Sequence, residues 1–147
     1  MNVEERLHDL EAYEEIRRLI ADYAHGLDKR DFARFESIWA SDARWRALPD
    51  QEWVTGRKEI VVAARKLLDP VNQSSHWTAN LSIRVAGDTA TGLVDADCVF
   101  SSADGSWFRL GASYDDQYAR RDGRWVITRR QTIIHYNLPI AEPVART

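Results

Sequence analysis

Residues 106–136, SWFRLGASYDDQYARRDGRWVITRRQTIIHY, show the fold class of this chain most directly. The pattern of side chains follows a period of two across Ser106–Arg120 and Arg124–Tyr136, which is typical of β-strands. The tripeptide Arg121-Asp122-Gly123 separates the two runs, and Asp-Gly is a strong signal for a hairpin turn. The stretch therefore predicts two long antiparallel strands joined by a tight turn.

The same period continues towards the N-terminus. Two further strands are predicted at Ser75–Val85 and Thr89–Phe100, again separated by short turns that contain Gly and Asp. A shorter strand around Ala43–Leu48 is expected to join an edge of the sheet. Because twist accumulates along strands of this length, we expect a strongly curved, cone-shaped antiparallel sheet.

The first half of the chain carries helical patterns. Apolar residues repeat at helical spacing over Val3–Lys29, and Asp31 is placed to cap a short second helix. A third helix is predicted over Arg57–Leu68, and it stops before Pro70. Helices followed by a meander indicate an α+β fold with three N-terminal helices on the concave face of the sheet. A ligand pocket is expected between the two layers.

Composition narrows the class of protein. The 147 residues show no repeat or linker, so we expect a single domain over 1–147, with a tail at about 142–147. A net charge of -3 argues against nucleic acid or an anionic membrane as the partner. The one cysteine, Cys98, and the lack of a signal peptide or long apolar run favour the cytoplasm. No metal-binding or nucleotide-binding motif is present, so neither a metal nor a cofactor is expected.

Two candidate catalytic residues are Asp28 and His76. Asp28 lies at the C-terminal end of the first predicted helix, where a carboxylate meets the negative end of the helix dipole. A residue in so unfavourable a place needs a compensating partner or a function. His76 opens a strand, and a carboxylate on one ring nitrogen would leave the other free to remove a proton from a substrate. Tyr23 and Arg130 complete the candidate set.

Each of these residues also has an ordinary structural interpretation. Asp28 could cap the next helix, and His76 could hydrogen-bond to the backbone of its strand. Tyr23 could belong to the core, and Arg130, beside another arginine, could be half of a solvated pair. Cys98 falls on the apolar face of its strand and fits a small buried side chain facing the pocket.

Several segments spread over nearly the whole chain match a known pattern. They are IRRLIADY at 16–23 running into Leu27-Asp28, WASDA at 39–43, SHWTAN at 75–80, GDTA at 87–90 and DGRW at 122–125. With these segments the sequence resembles the SnoaL-like branch of the nuclear-transport-factor-2-like superfamily. The resemblance implies a cystatin-like, cone-shaped α+β domain. This fold hosts dehydratases, isomerases, cyclases and non-catalytic binding proteins.

Within that branch, Asp28-Lys29-Arg30, the segment 118–125 and Asn137-Leu138-Pro139 are similar to γ-hexachlorocyclohexane dehydrochlorinases. This likeness implies that Asp28 and His76 form a catalytic dyad and that Arg130 anchors the substrate. It departs at Tyr23, where those enzymes have a lysine. A tyrosine there is similar to scytalone dehydratase and bile-acid 7α-dehydratase, and it favours an oxygen leaving group. The expected substrate pocket is lined by Trp45, Leu110, Ala112, Ile134 and Cys98.

The expected function is a cofactor-free lyase of the dehydratase or dehydrohalogenase type, acting on a hydrophobic cyclic small molecule. An isomerase or cyclase of the ketosteroid-isomerase type, and a non-catalytic lipid- or steroid-binding protein, remain alternatives. The resemblance also implies a homo-oligomer, a trimer in preference to a dimer.

Overall fold

The computed structural model describes residues 2–144. Over these residues the chain forms three helices: α1 Val3–Asp28, α2 Phe32–Ser37 and α3 Arg57–Leu68. It also forms six strands: β1 Trp39–Arg46, β2 Val54–Thr55, β3 Val71–Ala86, β4 Thr89–Ser102, β5 Trp107–Arg121 and β6 Arg124–Ile140. The predicted tail lies partly outside the described residues. Residues 141–144 have no regular structure.

The six strands form one sheet in the order β2-β1-β6-β5-β4-β3. Strands β3 to β6 make the predicted antiparallel meander. The sheet is mainly antiparallel, as predicted, but β1 runs parallel to β6, so the open sheet is mixed. The chain passes through β2, α3 and the first three meander strands before β6 returns beside β1, so no hairpin turn sets that pairing.

Three strand boundaries differ by four residues from the pattern-based prediction, and one of them is the end of β6, at Ile140 rather than Tyr136. β1 begins at Trp39, four residues earlier than expected, and β3 begins at Val71 directly after Pro70. β2 was not predicted, because two residues carry no periodicity. The early start of β3 matters for the site, since the residues just before His76 belong to the same regular strand.

The helices pack on one side of the sheet. α1 contacts β3 and β6, and α3 contacts β1. The core between the layers is largely aromatic and aliphatic, with Phe35, Trp39 and Ile127 fully buried. Close packing of α1 on α2 depends on Gly26, because a Cβ there would lie 2.8 Å from the Cβ of Phe35. None of the helices in residues 2–144 is long and apolar enough to cross a membrane.

Bulges in the meander shape the face that the helices cover. The pairing shifts between Ala79 and Ser82 in β3 and between Gly111 and Ala112 in β5. A bulge bends its strand and increases the local twist. The long strands therefore bend between their ends, and this leaves room between the sheet and the helices at one end of the molecule.

Candidate functional site

A cavity of about 340 Å³ lies between the ends of α1 and α3 and the inner face of β3 to β6. Its wall is mostly apolar, with a few polar groups from α1, β3 and β6. Residues on the wall include Tyr23, Leu27, Leu67, His76, Ala96, Cys98, Phe100, Leu110, Ala112, Tyr114, Thr132, Ile134 and Asn137. An apolar cavity with few polar groups is the usual form of a small-molecule site.

Asp28 and His76 meet at one side of this cavity. The Nδ1 atom of His76 lies 2.6 Å from Oδ1 of Asp28. The backbone N–H of His76 donates to Oδ2 of the same carboxylate at 2.8 Å, and the Ser74 hydroxyl donates to Oδ1 at 2.8 Å. Three hydrogen bonds therefore fix the carboxylate against β3. Since Asp28 occupies Nδ1, Nε2 is the ring nitrogen available for proton exchange.

Arg30 holds the helix end and the strand together. Its guanidinium donates to the carbonyl of Leu27 at 2.6 Å and to the carbonyl of Val71 at 2.8 Å. Its backbone adopts φ 56°, which turns the chain sharply just after α1. The side chain thus joins the last turn of α1 to the first residue of β3. This link brings Asp28, the last residue of α1, to the strand that carries His76.

The dyad shifts the pKa of both partners. Burial alone would lower the pKa of His76, but hydrogen bonds with Asp28 and Cys98 raise it to about 9. Burial alone would raise the pKa of Asp28, but its hydrogen bonds with His76 and Ser74 hold it below the usual value. The pair therefore favours an imidazolium beside a carboxylate. Such an imidazole is a strong base once it has lost its proton.

Tyr23 lies beside the dyad and packs in an aromatic cluster. Its ring centre is 6.5 Å from that of His76 and 5.3 Å from that of Tyr114, both in edge-on geometry. Burial raises the pKa of Tyr23 to about 12, although the charge of Arg130 opposes this rise. The phenol therefore stays protonated at neutral pH and can donate a hydrogen bond.

Arg130 does not lie where the sequence-based prediction placed it. It was expected to reach the cavity, but it is fully buried, and Asp116 binds it through Nε at 2.8 Å and Nη2 at 2.7 Å. Its guanidinium carbon lies 4.2 Å from the ring centres of both Tyr23 and Tyr114. The two rings line the cavity and separate the guanidinium from it. Within residues 2–144 Nη1 of Arg130 has no hydrogen-bond partner. The attraction between the guanidinium and the faces of the two tyrosine rings offsets part of the free-energy cost of burying Nη1 unpaired.

Trp45 also lies elsewhere. The prediction placed it on the pocket wall, but its indole packs against Phe35 and Trp39 in the core beneath α2. Strand β1 lies next to β6, on the opposite side of β6 from β5, so its inward side chains meet the helices rather than the cavity. The other expected wall residues, Leu110, Ala112, Ile134 and Cys98, do line it.

Three residues of the site were missed from the sequence. Ser74 precedes His76 by two positions, so strand alternation places both on one face. That alternation could have found Ser74 had the strand been extended to Val71. Asp116 and Tyr114 follow the same alternation on β5, but nothing in the sequence indicates that they surround Arg130. Within residues 2–144, no three His, Cys, Asp or Glu side chains converge as a metal site.

Comparison with known proteins assigns the family. The model of the SnoaL-like domain matches residues 8–131, and the chain belongs to this family. Solved structures of the same architecture include the type 2 hexachlorocyclohexane dehydrochlorinase. That chain is 27% identical, with a TM-score of 0.88 and 97% of each chain covered. A scytalone dehydratase-like protein of Novosphingobium aromaticivorans, 19% identical with a TM-score of 0.81 and 93% of each chain covered, shares the fold.

Among curated proteins, the chain is similar to hexachlorocyclohexane dehydrochlorinase 1 of Sphingobium indicum. The two are 30% identical over 129 residues, which cover 86% of this chain and 83% of the relative. An uncharacterised protein of Mycobacterium tuberculosis, Rv2910c, is 31% identical over 121 residues, covering 79% of this chain and 80% of the relative. The fold and family expected from the sequence are thereby confirmed.

Proposed function

We propose that this protein is a cofactor-free lyase that eliminates water or a halide from a hydrophobic cyclic small molecule. The observation that carries the proposal is the 2.6 Å contact between Asp28 and the Nδ1 atom of His76, at the wall of an apolar cavity. Dehydrochlorinases among its relatives are lyases by name, which supports the same class of reaction here.

In the proposed reaction His76 removes a proton from a carbon of the substrate through Nε2. Asp28 keeps the imidazole in the tautomer with its proton on Nδ1, and it stabilises the imidazolium that forms. Ser74 and the His76 backbone N–H prevent the carboxylate from rotating away. A general base of this kind contributes about 10²–10⁴-fold to the rate.

Tyr23 is the proposed donor to the leaving group. Water, the conjugate acid of hydroxide, has a pKa of about 15.7, so the Tyr23 phenol can give its proton to a departing hydroxide. A departing chloride takes no proton. Tyr23 therefore favours elimination of water over elimination of halide by this chain, and a halide substrate would gain only a hydrogen bond.

The cavity sets the size and polarity of the proposed substrate. A volume of about 340 Å³ lies near the lower end of the range for ligand pockets, which suits a molecule with one or two rings. Because most of the wall is apolar, we propose a neutral ring compound whose acidic C–H lies next to an activating group. A charged substrate would lose its hydration in a mostly apolar cavity, where the charge of His76 is already balanced by Asp28.

The test is a screen of cyclic β-hydroxy ketones and halogenated cyclohexanes, with the elimination product followed by gas chromatography and mass spectrometry. Wild type should form product, and His76→Gln should lower kcat by about 10²–10⁴-fold. Asp28→Asn should cause a loss of similar order, because an amide at that position no longer stabilises the imidazolium. His135→Gln is the matched control, since His135 lies on an exposed part of β6.

Three results would contradict the lyase proposal. One is turnover that His76→Gln leaves intact. Another is a product in which a double bond has moved and no group has departed, which would support the isomerase alternative. The third is tight binding of ring compounds with neither product nor exchange of the substrate C–H proton with solvent deuterium, which would support a binding protein.

We also propose that the chain acts as one cytoplasmic domain assembled into a homo-oligomer, a trimer in preference to a dimer. Trp77, Leu93 and Ile133 support the assembly, because they are 72%, 49% and 42% exposed on strands whose alternate residues face the core. Apolar groups on one sheet face are seldom left in water. Sedimentation at micromolar concentration should give an oligomer, and a monomer alone would contradict this.

A further inference from the structure

We propose that Cys98 is a nucleophile that His76 activates, and that the cavity captures cyclic α,β-unsaturated carbonyl compounds as thioethers on its sulfur. Cys98 is the only cysteine of the chain, and it lies on β4 at the cavity wall. In the sheet its direct partner on β3 is His76. This inference goes beyond elimination, because it needs the cavity and the dyad but no leaving group.

The geometry places the thiol against the imidazole. Residues directly opposite each other on antiparallel strands have Cβ atoms about 4.5–5.5 Å apart and point to the same face. Both side chains line the same cavity, and the Cys98 thiol interacts with the His76 ring. Sγ also makes a long hydrogen bond, of 3.9 Å, to the carbonyl of Val99.

The three side chains then stand in the order thiol, imidazole, carboxylate. A nucleophile beside a base, with a third group that orients the base, is the usual arrangement for nucleophilic catalysis. The thiolate, not the thiol, is the reactive species, and a neighbouring imidazolium stabilises it. The hydrogen bond that Nδ1 donates to Asp28 keeps that imidazole in place.

The proposed step is a conjugate addition. The thiol proton moves to Nε2 of a His76 in its neutral form, and Sγ forms a bond to the β-carbon of the unsaturated carbonyl compound. The electron pair of the C=C bond moves to the carbonyl oxygen as an enolate, and His76 then returns the proton to the α-carbon. One S–H has added across one C=C, so no oxidant, reductant or other reactant is needed.

The class of ligand follows from the same chemistry. Elimination of water from a β-hydroxy ketone yields an α,β-unsaturated ketone, which is the electrophile that a thiol adds to. The choice of this ligand class therefore rests on the proposed lyase function. Capture itself can be measured on a protein that turns nothing over.

The opposing interpretation is that Cys98 is an inert apolar side chain. Its exposure is 6%, and a buried thiol without activation reacts more slowly in the folded protein than in the unfolded chain. The two interpretations predict opposite orders of reactivity for folded and unfolded protein. Because no other cysteine is present, the mass of the whole chain reports this one thiol.

The experiment measures the rate of adduct formation by intact-mass spectrometry, with N-ethylmaleimide and 2-cyclohexen-1-one as probes at pH 7. The folded full-length chain should react about tenfold faster or more than the same chain in guanidinium. His76→Gln should lose that advantage, and His135→Gln should keep it. Reaction with cyclohexenone should also block later labelling by the maleimide.

The proposal is overturned if the folded chain reacts more slowly than the unfolded chain, or if His76→Gln reacts at the wild-type rate. Should circular dichroism show that His76→Gln is unfolded, Asp28→Asn takes its place and should also lose the advantage, since it keeps the imidazole but removes the carboxylate that orients the ring and stabilises its charged form. If Cys98 is labelled rapidly in a protein that shows no elimination activity, the lyase proposal is wrong and the role of Cys98 stands. If the protein shows elimination activity but Cys98 is labelled slowly, the role proposed for Cys98 is wrong and the lyase proposal stands.

Discussion

The protonation of His76 gives a prediction in which magnitude and sign both follow from the structure. Against the effect of burial, the interactions with Asp28 and Cys98 raise the pKa of His76 from about 6.5 to about 9. The difference corresponds to about 3 kcal/mol of preference for the imidazolium in the folded state. Near neutral pH only roughly one His76 in a hundred is therefore in the base form.

Catalysis by the neutral imidazole should then rise with pH. The value of kcat/KM should increase about tenfold per unit up to pH about 9 and level off above it. In Asp28→Asn the interaction with the carboxylate is lost while burial remains, so the pKa of His76 should fall. The profile of this variant should level off at a lower pH than that of the wild type, at a much lower plateau.

Stability should change over the same range in the opposite direction. Because the folded-state pKa of His76 lies above the unfolded value, its contribution is complete below pH 6.5 and is lost as pH rises towards 9. NMR titration of the His76 ring measures the pKa, and urea unfolding at several pH values measures the free energy. A titration midpoint near or below 6.5 in the wild type would refute this account of the dyad.

Three further substitutions test how the site is supported. Asp116→Asn should lower the free energy of unfolding in urea by about 3–5 kcal/mol, because it leaves Arg130 charged and unpaired in the core. Gly26→Ala should cost about 1–3 kcal/mol by the same measurement, since its Cβ would overlap Phe35. Arg30→Ala should lower kcat by up to about 10²-fold with a smaller change in KM, because it frees the end of α1 from β3. An unchanged kcat would show that this link does not position Asp28.

Much of the fold could be read from periodicity. The meander from β3 to β6 repeats every two residues and is divided by short Gly and Asp turns, so both type and order were predictable. The parallel pairing of β1 with β6 was not. It joins residues such as Arg44 and Arg129, which lie far apart in sequence, and no local pattern records such a pairing.

The residues of the site likewise divide into those that a local sequence pattern could predict and those that it could not. Asp28 stood out because a carboxylate at a helix C-terminus breaks a local rule, and the structure supplies its compensation in three hydrogen bonds from β3. Ser74 lies two residues before His76 and on the same face of β3, but the predicted strand starts at Ser75 and so does not include it. Asp116 was out of reach, because its importance depends on burial beside Arg130 and not on any spacing.

The burial of Arg130 changes how a positive charge can act in this cavity. An arginine that touched the ligand would bind an anionic or halogenated group directly, but here the rings of Tyr23 and Tyr114 stand between. Its charge opposes the rise in the pKa of Tyr23 that burial causes, so it stabilises the phenolate that would remain after proton donation. In the proposed reaction, Arg130 would therefore act on a ligand only through Tyr23. A leaving group that needs a proton gains from this arrangement, whereas a departing halide does not.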